Sequence, residues 1–102
     1  MEQIERIKTM EQHLNRASQS VKRLSAALED YAEAQTSLLE LSAYYESNEW
    51  QQDYADDEAG RLPQDLKRGV LSEDGIWNLL DEASNLNQRM LELTTDILNR
   101  DV

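Results

Sequence analysis

The sequence predicts an all-α protein in which a long N-terminal heptad helix lies antiparallel to a C-terminal helix, with a short acidic helix and an ordered linker between them. Residues 2–45 contain neither glycine nor proline, and apolar residues recur there at alternating spacings of three and four. The same spacing returns over residues 72–99. This period is typical of helices that bury one stripe against another helix. We therefore expect a helical hairpin or bundle.

The first predicted helix covers residues 2–45 and keeps one heptad frame over about six heptads. The apolar a and d positions are Ile7, Met10, Leu14, Ala17, Val21, Leu24, Leu28, Tyr31, Leu38 and Tyr45. Gln35 and Ser42 fill the remaining positions of the frame, and polar a residues often determine register or oligomeric state at a cost in stability. At 1.5 Å per residue this helix would be about 65 Å long.

A short acidic helix is predicted over residues 48–58. Asn48 is a suitable N-cap, and Gly60 can supply the left-handed residue that ends a helix. We expect residues 59–71 to form an ordered linker, in which Pro63 starts a single turn and Gly69 ends it.

The last predicted helix covers residues 72–99 and would be about 40 Å long. Ser72 is its predicted N-cap, and Leu71 and Ile76 are placed to form a hydrophobic staple. The apolar a and d positions are Ile76, Leu79, Ala83, Leu86, Met90, Leu93 and Ile97.

The 102 residues fit one domain. The first predicted helix exceeds the last by about 25 Å, so a simple hairpin would leave Ile4, Ile7, Met10 and Leu14 uncovered. A second copy could cover them, because two hairpins can pack as a four-helix bundle. We therefore predict a homo-oligomer, most simply a homodimer.

The composition excludes several classes of protein. The chain has no cysteine, which excludes a disulfide framework and thiolate chemistry. Its net charge of −11 argues against direct binding of nucleic acid or of anionic lipid. No apolar run is long enough to span a membrane, and residues 1–5 lack the features of a signal peptide, so we expect a cytoplasmic protein.

Two groups of carboxylates in the sequence are candidates for metal sites. Glu29, Asp30 and Glu33, followed by Asp53 and Asp56, are a degenerate version of the acidic motifs of helical Mg²⁺-dependent nucleotide pyrophosphatases. The heptad frame places the first three at positions b, c and f, which face solvent. The hydrolase is therefore the remote alternative.

The acids at 53–58 also lack the arrangement of a calcium loop, because Gly60 follows them instead of lying between them. His13 is the only histidine, and with no cysteine present a zinc site would have to be built mainly from carboxylates. We expect a protein with no catalytic residue, no metal and no cofactor.

Aromatic residues are concentrated in the middle of the chain. Five of the six lie within residues 44–77, together with the acids of residues 46–58 and the basic pair Lys67 and Arg68. These rings can form a small core at the end of the bundle, or a docking surface, because Trp, Tyr and Arg dominate binding hot spots. The candidate partner-binding residues are Tyr45, Trp50, Asp53, Tyr54, Asp56, Asp57, Lys67 and Arg68.

The central segment resembles a known bacterial family. The residues that carry the resemblance are Tyr44, Tyr45, Trp50, Asp53, Tyr54 and the segments 57–63 and 65–76. They are similar to the core of the family catalogued as domain of unknown function forty-two ninety-eight, and the outer helices match its general plan. The resemblance implies a small, mostly helical, cytoplasmic bacterial protein, and it supplies no activity, ligand or site residue.

The sequence favours a non-enzymatic helical protein with an interaction or structural role. The alternative is an acidic regulator that binds a basic partner as a mimic of nucleic acid, since six acids and no Lys or Arg lie within residues 46–58. The two hypotheses differ in whether the acids of that segment are needed for binding.

Overall fold

The computed structural model describes residues 2–100, and within them it contains helices and no strand. The three helices are α1 (Gln3–Tyr45), α2 (Asn48–Glu58) and α3 (Gly75–Arg100), and a 3-10 turn, Gly69–Leu71, lies in the linker. The predicted all-α class is confirmed, and a long N-terminal helix and a C-terminal helix are consistent with a hairpin. No helix in the described range has the length and apolar character that crossing a membrane requires.

The described chain divides into two compact units, residues 2–37 and residues 38–100. The first unit contains residues 3–37 of α1 and no other helix. The second holds the last eight residues of α1 together with α2, the linker and α3. The prediction of one domain concerns cooperative folding, and it stays a prediction.

The corner between α1 and α2 is closed by a serine. Ser47 is the N-cap of α2, where the sequence predicted Asn48. The Ser47 hydroxyl accepts a hydrogen bond from the Trp50 backbone N–H at 3.1 Å and donates one to the Tyr44 carbonyl at 2.6 Å. The prediction was wrong by one residue because this hydroxyl can satisfy a carbonyl at the end of α1 and a free N–H of α2 together.

The end of α2 has the geometry that the sequence predicted. Gly60 has a positive φ of 72°. Its N–H donates to the Asp57 carbonyl at 3.0 Å, and the Arg61 N–H donates to the Asp56 carbonyl at 2.9 Å. These two bonds form a Schellman motif, in which glycine meets no steric penalty.

Helix α3 begins at Gly75, three residues later than predicted. Ser72 still acts as a cap, because its hydroxyl accepts from the Gly75 N–H at 3.0 Å and donates to the Gly69 carbonyl at 2.9 Å. The second bond ties Ser72 back to the 3-10 turn. The first helical hydrogen bond beyond this turn runs from the Asn78 N–H to the Asp74 carbonyl.

Position 75 has no room for a Cβ atom, so glycine is needed there. A Cβ at this position would lie 2.6 Å from the Gly69 carbonyl oxygen, whereas a Cβ at Gly69 would meet nothing within 4 Å. We expect Gly75→Ala to lower the free energy of unfolding by about 1–3 kcal/mol, because the turn must open to admit the methyl group. Urea denaturation measures the loss. Gly69→Ala is the control, and an equal loss in both variants would contradict this account.

The described core is very small. Leu71 and Ile76 are its only buried side chains, with 6% and 3% of their surface exposed. They are the residues that the sequence predicted as a hydrophobic staple, one in the 3-10 turn and one in the first turn of α3. The 3-10 turn contacts both α2 and α3, so this pair lies where the linker joins the helices.

Candidate protein-interaction site

Three aromatic rings stack at the junction of α1 and α2, and we call Tyr45, Trp50 and Tyr54 the aromatic ladder. The Tyr45 and Trp50 rings meet edge to face, with centroids 5.0 Å apart. The Trp50 and Tyr54 rings are stacked, with centroids 5.2 Å apart. Such ring pairs stabilise by about 0.5–1.5 kcal/mol beyond the area they bury. The spacing of four residues within α2 places Trp50 and Tyr54 on one face of that helix.

The aromatic ladder is tied to the segment before α3. The Trp50 indole Nε1–H donates to the Val70 carbonyl oxygen at 2.8 Å. The Tyr54 hydroxyl donates to Glu73 Oε1 at 3.0 Å, and the Tyr45 hydroxyl lies 3.5 Å from the Glu73 carbonyl oxygen. The ladder therefore fastens α2 to residues 70–73, which is the small-core interpretation of these three rings.

Tyr44 makes a second link between α1 and α2. Its hydroxyl donates to Asp53 Oδ2 at 2.6 Å. Partial burial and this hydrogen bond to a carboxylate raise the pKa of Tyr44 to about 12 from 10.0. The hydrogen bond to Glu73 likewise raises the pKa of Tyr54.

Because the pKa of Tyr44 is higher in the folded chain than in the unfolded one, its contribution to stability is complete below about pH 10. It is lost as the pH rises through about 12. We expect Tyr44→Phe to lower the free energy of unfolding by about 0.5–1.5 kcal/mol at neutral pH. The gap between wild type and variant should narrow at alkaline pH, and urea titrations at several pH values measure it. A gap that stays constant or widens would contradict the proposed role of the phenol proton.

Two ion pairs, the only ones among the described residues, connect the acidic helix to the linker. Asp56 pairs with Arg61 at 3.2 Å on the surface. Asp57 pairs with Arg68, whose guanidinium also donates to the Pro63 and Leu66 carbonyl oxygens. Arg68 thus holds the linker folded against α2, and both members of its ion pair are partly shielded from solvent.

A shallow apolar groove of about 320 Å³ lies beside the 3-10 turn in the second unit. We call it the α3 groove, and its lining residues are Leu41, Lys67, Gly69, Val70, Gly75, Ile76 and Leu79. Lys67 is exposed and is the only charged side chain among them. An apolar floor with one cation is suited to receiving aliphatic side chains from a partner.

The structure separates the predicted partner-binding residues into two groups. Those engaged within the chain are Tyr45, Trp50, Asp53, Tyr54, Asp56, Asp57 and Arg68. Lys67 remains exposed at the α3 groove, and Trp77 is an exposed ring on α3. The aromatic cluster of five rings is therefore divided, with four rings used in the junction and Trp77 exposed on α3.

The sequence did not predict that Leu41 and Glu73 contribute to this region. Glu73 lies two residues before the first residue of α3. Its bond to Tyr54 spans 19 positions. No local pattern signals such a contact, whereas the g position of Leu41 beside the heptad seam was a usable signal.

The carboxylates considered as a metal site are divided between the two compact units. Glu29, Asp30 and Glu33 are exposed on α1, as the heptad frame predicts. Asp53 accepts from Tyr44, and Asp56 pairs with Arg61. Over residues 2–100, no three His, Asp or Glu side chains lie close enough together to hold a metal ion.

Comparison with known proteins gives one match. No curated protein and no solved structure matches the chain. The family model described as "Domain of unknown function (DUF4298)" matches residues 7–93, which is most of the chain and includes the aromatic ladder, the linker and the α3 groove. This confirms the resemblance seen in the central segment. The protein therefore belongs to the DUF4298 family.

Proposed function

We propose that this protein is a non-enzymatic helical interaction protein that assembles as a homodimer through the heptad seam of α1. The observation that carries the proposal is the exposure of that seam in the single chain. Val21 is 68% exposed and Leu24 57%. The other exposed seam residues are Ile7, Met10, Leu14 and Leu28.

The free energy available from covering this seam is large. Burying one Val or Leu side chain contributes about 1.5–3 kcal/mol, and the seam presents several of them in a row. Most helical stability in proteins comes from packing an amphipathic face, so a helix of 43 residues gains greatly from a partner. A contiguous exposed apolar patch of this kind marks an interaction surface.

The residues beside the seam favour close packing of helices. The e and g positions of its central part are small, and they are Ser18, Ser20, Ser25, Ala27, Ala32 and Ala34. The distance between packed helix axes, 8–10 Å in general, depends on the side chains at the contact. Small flanks therefore permit a close approach along the central part of α1.

The acidic segment supports this assembly better than it supports binding to a separate basic protein. Asp53, Asp56 and Asp57 already have partners within the chain. A mimic of nucleic acid needs its carboxylates free to meet cations of the protein that it occupies. We therefore propose that the acids other than these three contribute to the electrostatic attraction between the two copies of the homodimer.

The assembly is tested by light scattering at micromolar concentration. We expect twice the chain mass of 11.8 kDa. The non-enzymatic part is tested by incubating the protein with nucleoside triphosphates and Mg²⁺. We expect no release of phosphate or pyrophosphate, and release that is abolished by Glu29→Gln with Glu33→Gln would overturn it.

A further inference from the structure

The charges of α1 are divided sharply along its length. Residues 6–23 contain five of the ten Lys and Arg residues and one acid. Residues 24–45, the rest of the helix, contain no Lys or Arg and four acids. We call these stretches the basic arm and the acidic arm. The basic residues are Arg6, Lys8, Arg16, Lys22 and Arg23.

The stability of a single helix does not explain this division. A helix favours anions near its N-terminus and cations near its C-terminus. The first turn of α1 contains Glu5, but the charges beyond it have the opposite arrangement, and the last turn contains no basic residue. In the described part of the chain both ion pairs lie between α2 and the linker, so the basic arm takes part in neither.

Pairing with a second copy of the chain explains the division of charge along α1. In a parallel pair each arm would lie beside the same arm of the other copy, and like charges would repel. In an antiparallel pair the basic arm of each copy would lie beside the acidic arm of the other, and two-fold symmetry would satisfy both arms. The small residues at e and g let long Lys and Arg side chains at b and c reach across the seam.

The antiparallel arrangement also brings the apolar N-terminal residues of one α1 helix to the α3 groove of the other copy. An a residue of one helix then faces a d residue of the other, so full overlap places Ile7 beside Leu38 or Tyr45 of the second copy. Leu41, which lines the α3 groove, lies between these two positions. Ile4 and Ile7 are exposed and lie on one face of α1.

We infer that two copies pair their α1 helices antiparallel, with the basic arm of each along the acidic arm of the other and with Ile4 and Ile7 of each in the α3 groove of the other. The inference rests on the proposed homodimer and adds its orientation and its second contact surface. It assigns a role to Lys67, whose stem can cover the inserted side chains while its ammonium group stays in water.

Charge reversal tests the orientation. Arg16→Glu, Lys22→Glu and Arg23→Glu together should raise the dimer dissociation constant at least about 10-fold at low salt, and less in high salt. Adding Glu29→Lys and Asp30→Lys, at positions b and c of the acidic arm, should restore it to within about 3-fold, because both arms are then inverted together. Arg89→Glu with Arg100→Glu on α3 is the control. No restoration by the combined set would overturn the antiparallel pairing.

Cysteine cross-linking tests the groove directly, because the chain has no cysteine of its own. Residues 7 and 41 are about 50 Å apart on one helix, so a disulfide between them can only join two copies. We expect Ile7→Cys with Leu41→Cys to form a covalent dimer and Ile7→Cys alone to form none. Cross-linking of the single variant, or failure of the double variant, overturns the inference. Light scattering of the same reduced samples separates either result from a failure to dimerise, which would overturn the proposed function itself.

Discussion

Leu24→Asp should convert the dimer to a monomer. Leu24 occupies a d position near the middle of α1, and it is more than half exposed in the single chain. In a homodimer the substitution removes two buried leucines and introduces two carboxylates into the seam. Losing about 1.5–3 kcal/mol of burial in each copy raises the dissociation constant at least about 100-fold, before any cost of the charges. Light scattering over a concentration series measures the change.

The matched control lies two residues away. Ala26 is exposed at an f position, on the face of α1 opposite the seam. Ala26→Asp adds the same charge to the same helix and should leave the dissociation constant within about 3-fold of wild type. If both aspartates weaken association equally, the effect is one of net charge, and the seam is not the interface.

Ile76→Ala should unfold the junction between the linker and α3. Ile76 is the most buried side chain described, and with Leu71 it forms the small core beneath the 3-10 turn. Truncating a buried isoleucine to alanine costs about 2–5 kcal/mol through lost burial and the cavity left behind. This is a large fraction of the stability of a chain of this size. Chemical denaturation followed by circular dichroism measures the loss, and fluorescence of Trp50 in a Trp77→Phe background reports on the junction.

A leucine of the same helix supplies the comparison. Leu91 is 62% exposed and lies off the apolar stripe of α3. Leu91→Ala should change the free energy of unfolding by no more than about 0.5 kcal/mol. An Ile76→Ala variant that is as stable as Leu91→Ala would show that the junction is not the core of the second unit.

The helices were predictable from the sequence because each depends on local signals. The heptad frame gave α1 and α3, Gly60 gave the end of α2, and Leu71 and Ile76 were recognised as a staple. The two errors at helix starts have one cause. Ser47 and Ser72 each bond to a carbonyl three residues back as well as to an N–H ahead, and this pairing moves the helix start.

The sequence predicted which residues the candidate site contains, but not which of them contact one another. Clustering of aromatic and charged residues within 44–77 predicts a candidate site there, and its use by a partner stays a prediction. Which rings form the junction depends on contacts distant in sequence, such as that between Trp50 and the Val70 carbonyl. The ion pair between Arg68 and Asp57 likewise depends on the linker folding back along α2, which no local pattern predicts.

The two units contribute different features to the proposed assembly. The aromatic ladder and the ion pairs engage polar groups of the junction within the chain, and the α3 groove is lined mainly by apolar residues. Helix α1 presents an exposed seam and a divided charge. The proposed homodimer would use both features.

The most direct test of the central claim is sedimentation equilibrium of the wild-type protein over a concentration series from nanomolar to micromolar. The account predicts a reversible association whose limiting mass is twice 11.8 kDa. It also predicts that association weakens as salt rises, because the charged arms contribute to it. A chain that stays at its single-chain mass throughout this range would contradict the account.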